Sequence, residues 1–423
     1  MLDYFPRIYD KLLKNQLEAT GAVLVQGAKW CGKTTTCEQI AKSTVYMADP
    51  ESREQNLILA DAQPSMLLKG ETPRLIDEWQ TAPKLWDAVR FEVDKRDQFG
   101  QFILTGSSVP PNNASMLHTG TGRISRLRMR PMSLYESKDS SGRVSLRNLF
   151  AGEELPVAKA GATIEKLAFL LCRGGWPKAI GQPERMALRQ ARNYVDAVAD
   201  SDISRVDDTQ RDPQLARRLL RSYARMESSQ TPTSQIADDL RGNGTAPNDK
   251  TVQSYITALQ RIFVIEDMPA WNPNLRSKTA IRTTETRHFV DPSIAAAAMG
   301  VGPQGAIKDL RTFGLWFESL CVRDLRIYAD ALDGEVFHFR DKSGLECDAV
   351  LHLRDGRYGL IEIKLGGDKL VDEGAKNLLT LSEKLDTTKM QKPSFLMVLT
   401  GTGQLSYTRP DGVMVAPIIT LKD

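Results

Sequence analysis

Histidine is scarce in this sequence, with four scattered in 423 residues, so no histidine-based metal centre is expected. The five cysteines, Cys31, Cys37, Cys172, Cys321 and Cys347, are odd in number and include no C-x-x-C pair. That speaks against a disulfide framework or a zinc site and fits a reducing, cytoplasmic setting. A long hydrophobic run is also missing. The nearest, 294–299, is mostly alanine and too short to cross a bilayer, so no membrane association is expected. Residues 1–7 lack a charged region followed by an apolar core, so no secretory leader is expected there. Neither sign of charge dominates: 56 Lys+Arg stand against 53 Asp+Glu, a formal net charge of +3. Such a balance neither demands nor excludes a nucleic-acid partner.

What remains is an ordinary soluble composition, 41% hydrophobic and 26% charged, in a chain long enough for two or three domains. Residues 22–26, Ala-Val-Leu-Val-Gln, form an apolar run of buried-strand type. Residues 27–34 follow, Gly-Ala-Lys-Trp-Cys-Gly-Lys-Thr, and then a stretch of helical pattern over 35–42. Strand, glycine loop and helix in that order are the context of a P-loop, in contrast to a glycine turn that happens to precede an amphipathic helix. Gly27 and Gly32 let the chain turn so that the main-chain amides of Ala28, Lys29, Trp30, Cys31, Gly32, Lys33, Thr34 and Thr35 face phosphate oxygens. Lys33 is placed to reach the β- and γ-phosphates of ATP, and the Thr34 hydroxyl to ligate Mg²⁺.

A second strand is expected over 44–48 and a third over 73–77, where Leu75 and Ile76 lead into Asp77 and Glu78. Apolar residues ending in Asp-Glu match a Walker B element, with Asp77 in the Mg²⁺ shell and Glu78 polarising the attacking water. A fourth strand over 101–105 ends in Thr105-Gly-Ser-Ser, hydroxyls at the edge where open α/β sheets bind ligands, which makes Thr105 a candidate γ-phosphate sensor. A Thr-Gly turn without such a role suits those residues equally. Over 124–130, Arg126, Arg128 and Arg130 alternate with Leu127 and Met129, predicting a half-buried strand with a basic outer face. Arg123, in the turn before it, is a candidate arginine finger, for the site of its own chain or for that of a neighbouring subunit in a homo-oligomer, against the plainer reading of a solvated basic face.

The strings at 27–34, 75–80 (Leu-Ile-Asp-Glu-Trp-Gln) and 104–108 (Leu-Thr-Gly-Ser-Ser) resemble the prokaryotic AAA-type ATPases that carry a DUF4143 C-terminal region. Gly174-Gly-Trp-Pro177 and the pair Tyr194 and Asp202-Ile203 resemble that region too. The resemblance implies an α/β fold in three parts. An AAA-type doubly wound P-loop sheet, ordered 5-1-4-3-2, would occupy 1–150. A helical, winged-helix-like domain would follow over 151–300, and an α/β domain similar to restriction endonucleases, of the PD-(D/E)xK nuclease-like kind, over 301–423.

The residues of the middle part agree in outline. Residues 151–230 are helix-rich, notably 190–201 and the basic stretch 213–226. A short helix over 234–240, a turn at Gly242 and Gly244, a long helix starting near Asp249 and a strand over 263–268 suit a winged helix-turn-helix. Its exposed face would show Lys250, Thr251, Gln253, Ser254 and Thr257. With one charge there, packing or protein contact competes with a role on DNA.

After a helical stretch over 313–327 the pattern alternates, with Gly-containing turns near Gly344 and Gly356, which predicts a three-stranded meander. In that meander Glu362 and Lys364 share one strand face and Asp348 belongs to the neighbouring strand. An acid facing Glu-x-Lys resembles the PD-(D/E)xK nuclease site: Asp348 and Glu362 as Mg²⁺ ligands, Lys364 orienting or deprotonating water, Glu318 as a further ligand. The plain alternative is a salt-bridged strand surface. The sequence therefore predicts an ATP- and Mg²⁺-dependent hydrolase coupled to a nuclease-like domain acting on DNA or RNA. The competing reading is a nucleotide-dependent switch that binds protein partners through an inactive C-terminal scaffold.

Overall fold

Five short segments in the first 130 residues become the strands of one parallel sheet in the computed structural model, which describes residues 4–109, 119–207, 209–241, 247–274 and 281–423. They are β1 (Ala22–Gln26), β2 (Ser43–Tyr46), β3 (Arg74–Asp77), β4 (Phe102–Gly106) and β5 (Ile124–Arg128). Their order is β2-β3-β4-β1-β5, and every pairing is parallel. Read from the other edge this is 5-1-4-3-2, as the family resemblance implied. β4 is buried along its whole length and β1 nearly so, the pattern of strands covered on both faces. Leu85, Trp86, Val89 and Val93 line the buried side of the helix Lys84–Arg96 and join Leu24, Ile76, Phe102 and Leu104 in one core. The strand β3 is short because Arg74 does not continue the apolar run; its guanidinium bonds the Leu67 carbonyl (2.7 Å) and the Ser43 hydroxyl (2.9 Å). Arg130 lies beyond the end of β5 and is buried, so the expected basic face is carried by Arg126 and Arg128.

The chain divides into two compact units. The first takes residues 1–131, 201–211 and 256–264; the second takes 132–200, 212–255 and 265–423. Three consecutive domains over 1–150, 151–300 and 301–423 therefore do not map one-to-one onto them. Residues 132–150 join the second unit, where the Leu134 amide donates to the buried carboxylate of Asp324 (2.9 Å).

In the second unit the helices Ile164–Arg173, Glu184–Ala197 and Pro213–Arg225 pack around Ser293–Met299. The helices Thr233–Arg241 and Asp249–Arg261 form where expected; the turn at Gly242 and Gly244 lies outside the described residues. No continuous strand forms over 263–268. Ile265 and Met268 make isolated antiparallel bridges to Phe289 and Thr286 instead. The helix Leu310–Ala331, capped by Asp309, runs longer at both ends than predicted and lies on the C-terminal sheet. A two-residue strand β6 (Val144–Ser145) precedes that sheet in the chain. The sheet itself is built from β7 (Gly334–Arg340), β8 (Glu346–Leu353), β9 (Tyr358–Lys364), β10 (Phe395–Thr400), β11 (Tyr407–Thr408) and β12 (Met414–Pro417), in the order β11-β12-β10-β9-β8-β7. The final strand β13 (Leu421–Lys422) pairs with β6. β7, β8 and β9 form the expected antiparallel meander, and β9 pairs parallel with β10, so the sheet is mixed. The helix Asp368–Lys384 covers β8, β9 and β10.

Candidate functional site

Because all five strands of the first sheet run the same way, the loops after β1, β3 and β4 leave from one edge. The first of these is the glycine loop. At Gly27 a Cβ would stand 2.0 Å from the Met129 carbonyl oxygen, so the close approach of the two chains requires glycine. Gly32 has φ 100°, the left-handed region, and hands the chain to the helix Lys33–Glu38, shorter than the pattern over 35–42 suggested. Ala28 and Cys31 are buried, Thr35 is exposed and Trp30 is 45% exposed with φ 65°. The Lys33 ammonium is buried inside the loop and donates to the carbonyls of Gly27 (3.0 Å) and Ala28 (2.9 Å). Lys29 turns the other way, to Asp202, at 2.6 Å.

Asp77 ends β3 beside this loop. Its Oδ1 accepts from the Thr34 hydroxyl (2.7 Å) and from the Thr105 hydroxyl (2.6 Å). Thr105 is fully buried and also accepts from the Glu78 amide (3.1 Å), so it ties β4 to both acids. Glu78 itself sits at φ 57°, a conformation that non-glycine residues adopt at a cost, and one often kept where a side chain must be aimed. Its Oε2 accepts from the Ser107 hydroxyl (3.0 Å) and from the Gln80 amide. Thr34, Asp77, Glu78 and Thr105 are thus brought together next to Lys33. Arg123 is not. It lies at the amino-terminal end of β5, where its carbonyl bonds the Ala22 amide and its guanidinium pairs with Asp94 (2.7 Å), across the length of β1 from the glycine loop. Sequence reasoning missed Ser107 and Gln80 as partners of Glu78, although both stand in strings it had singled out.

The second expected site lies on β8 and β9. The Lys364 ammonium is 2.9 Å from Asp348 Oδ2 and 2.6 Å from Glu362 Oε2, so it holds both carboxylates at once. Asp348 Oδ2 also accepts from the Ile363 amide (2.7 Å). Glu362 has no exposed surface, and apart from that ion pair neither of its carboxylate oxygens takes a hydrogen bond. Burial, then the neighbouring Asp348, pushes its carboxyl well above the usual range. Glu318, half-buried on its helix, is raised in the same way by burial and Asp348. Burial works against the Lys364 ammonium, yet Asp348 and Glu362 outweigh it and hold its pKa above the ordinary lysine value. A cavity of about 280 Å³, lined by Ser228, Gln230, Glu318, Arg340 and Glu346 among others, opens beside Asp348. Among the described residues, no three His, Cys, Asp or Glu side chains converge closely enough to hold a metal ion. None of the described helices is long and apolar enough to cross a membrane.

Residues 19–138 match the model of an AAA domain, and residues 313–421 that of a domain of unknown function, DUF4143. The chain carries an AAA domain and a DUF4143 domain. Between them, residues 164–305 match a further domain of unknown function, DUF8612. The AAA domain holds the glycine loop, Asp77, Glu78 and Thr105; the DUF4143 domain holds Glu318, Asp348, Glu362 and Lys364. A Walker-type ATPase of Pyrococcus abyssi is similar at 13% identity, over 70% of this chain and 96% of its own, with a TM-score of 0.42. The Orc1 protein of Aeropyrum pernix, solved in complex with DNA, is similar at 14% identity over 71% and 95%, with a TM-score of 0.25. No curated protein matches the chain.

Proposed function

We propose that the AAA domain binds ATP with Mg²⁺ and hydrolyses it. The observation that carries this is the meeting of Thr34, Asp77 and Thr105 on one carboxylate oxygen beside the glycine loop. Hydroxyl and carboxylate oxygens suit Mg²⁺, and Thr34 with Asp77 would hold it. When bound with the nucleotide, the ion would neutralise charge on the phosphates. The remaining work falls to the chain's own groups. The amides of 27–35 surround the phosphates, and Lys33 leaves the carbonyls of Gly27 and Ala28 for a phosphate oxygen. Glu78, steadied by Ser107 and Gln80, orients a water and takes its proton. Thr105 acts through Asp77 and Glu78. A contribution from Arg123 would need the site of a second subunit. Lys33→Ala is expected to abolish ATP binding, and Glu78→Gln to keep binding while lowering turnover about 100-fold or more. Equal turnover in Glu78→Gln and wild type would remove Glu78 from this role.

For the DUF4143 domain we propose a nuclease-like function on DNA or RNA, governed by the nucleotide cycle. Supporting this is the convergence of Asp348, Glu362 and Lys364 from neighbouring strands beside a cavity, an acid facing a Glu-x-Lys pair. Asp348 and Glu362 offer oxygen ligands for Mg²⁺, which would have to displace the Lys364 ammonium that bridges them here. That same ammonium favours the second reading, an inactive scaffold through which nucleotide state is passed to protein partners. The three helices Pro213–Arg225, Thr233–Arg241 and Asp249–Arg261, with the bridged segments after them, fit a winged helix in either case. Labelled DNA and RNA incubated with wild type in Mg²⁺ should be cut, and Lys364→Ala should cut at least about 100-fold more slowly. No cleavage by wild type leaves the scaffold reading; cleavage undiminished in Lys364→Ala places the chemistry elsewhere.

A further inference from the structure

Lys29 and Asp202 stand 173 residues apart in the chain and form a 2.6 Å ion pair on the glycine loop. The lysine side chain is 40% exposed and the aspartate 8%. Both belong to the same compact unit, because residues 201–211 return to it. Asp202 is held in place from its own side. The helix Glu184–Ala197 widens into a π turn, Val198–Asp202, before the short helix Ile203–Arg205, and such turns are frequent at functional sites. Arg211 then pins the segment. Its guanidinium donates to the Ile203 carbonyl (2.8 Å) and grips Asp207 with both terminal nitrogens (2.7 and 2.8 Å), and its amide bonds the Ser204 hydroxyl (3.0 Å). Asp202 is therefore a fixed acceptor set against a loop whose purpose is to attract anions.

The two lysines of the loop are neutralised differently. Lys33 rests on neutral carbonyls, which a phosphate oxygen readily displaces. Lys29 rests on the Asp202 carboxylate, with the aspartate buried and the lysine partly exposed, so water screens the pair only in part. Moving Lys29 onto a nucleotide requires an anion strong enough and near enough to replace a carboxylate. We infer that Lys29 exchanges Asp202 for the terminal phosphate of a nucleoside triphosphate, so that the pair sets the preference for triphosphate over diphosphate. The inference rests on the reading of residues 27–34 as a triphosphate site. A diphosphate engages the loop amides and Lys33 but leaves Lys29 on Asp202. A triphosphate adds the charge that draws Lys29 away, and its affinity carries the cost of breaking the pair.

The test is a set of equilibrium titrations of ATP and ADP, each with Mg²⁺, on the full chain and four variants. Lys29→Met, at a partly exposed position, should weaken ATP about tenfold and ADP by less than about twofold, and Lys29→Arg should restore most of the loss. Asp202→Asn, the same shape without the charge, should tighten ATP about five- to tenfold and leave ADP unchanged. In the double variant Lys29→Met, Asp202→Asn, the asparagine should have no further effect, because the two substitutions act on one interaction. An unchanged ATP-to-ADP ratio in Lys29→Met overturns the inference. So does an equal tightening by Asp202→Asn with and without Lys29, which would mean general repulsion of phosphate by the aspartate. Failure of the wild type to bind either nucleotide would strike the P-loop reading itself, a result distinct from both.

Discussion

Glu227 carries its carboxyl into the interior of the second unit, where it has no exposed surface. One oxygen accepts from the Ser319 hydroxyl (2.6 Å) and the Phe289 amide (2.9 Å); the other accepts nothing. His288, also fully buried, brings Nδ1 to 3.9 Å, and burial pushes that imidazole well below its usual value, so it offers no positive charge. Burial therefore dominates and raises the Glu227 carboxyl to about 8. The linkage follows from that direction. Between about pH 4.5 and 8 the unfolded chain releases this proton and the folded chain keeps it, so stability falls as pH rises. Glu227→Gln, which copies the protonated form, should gain on wild type by up to about 1.4 kcal/mol per pH unit across that window. Denaturant midpoints at pH 5 and pH 7.5 read this directly, and a gap that does not widen with pH would show that Glu227 is ionised in the folded chain.

Whole elements are held by groups that leave no room for a methyl. The Gly174-Gly-Trp-Pro177 string, which with Tyr194 and Asp202-Ile203 resembled DUF4143 in the sequence, falls outside residues 313–421 and within the DUF8612 match at 164–305, and it has a structural reason. Gly174 sits at φ 71°, with a Cβ position 2.3 Å from the Ser293 hydroxyl, and a Cβ on Gly175 would lie 2.1 Å from the Met132 carbonyl oxygen. The Gly175 amide donates to Asp291 (2.9 Å), which also receives Arg323 (2.9 Å), while Arg323 pairs with Asp324 (2.7 Å). The helix Ile164–Arg173, the helix Leu310–Ala331 and the start of Ser293–Met299 are tied together through this buried network. Gly175→Ala should cost about 3 kcal/mol, since the clash is with main chain that cannot rotate away. A thermal-unfolding midpoint within one degree of wild type would refute that packing. The same scale explains where pattern reading stopped short. Over 263–268 the apolar residues suggested a strand, but Ile265 and Met268 each find one bridge partner, and no segment among the described residues pairs alongside to complete a ladder.

At the scale of the whole molecule, contiguity decided what could be read. The glycine loop, the Asp77-Glu78 pair and the alternating strands of the meander are short strings in which spacing alone fixes which side chains share a face or a turn. Their placement and their parallel or antiparallel setting were therefore legible. That Lys33, Asp77, Glu78 and Thr105 meet at one edge also follows from the sequence, because parallel strands send their carboxyl ends the same way. Tertiary structure alone decided the rest. It set Asp202 against Lys29 across 173 residues, put Arg123 at the far end of the sheet, and placed the Lys364 ammonium between Asp348 and Glu362. It also returned 201–211 and 256–264 to the first unit. Local pattern encodes which face is apolar and where the chain turns. Which distant charge ends beside which depends on how the buried faces pack, and no spacing along the chain records that.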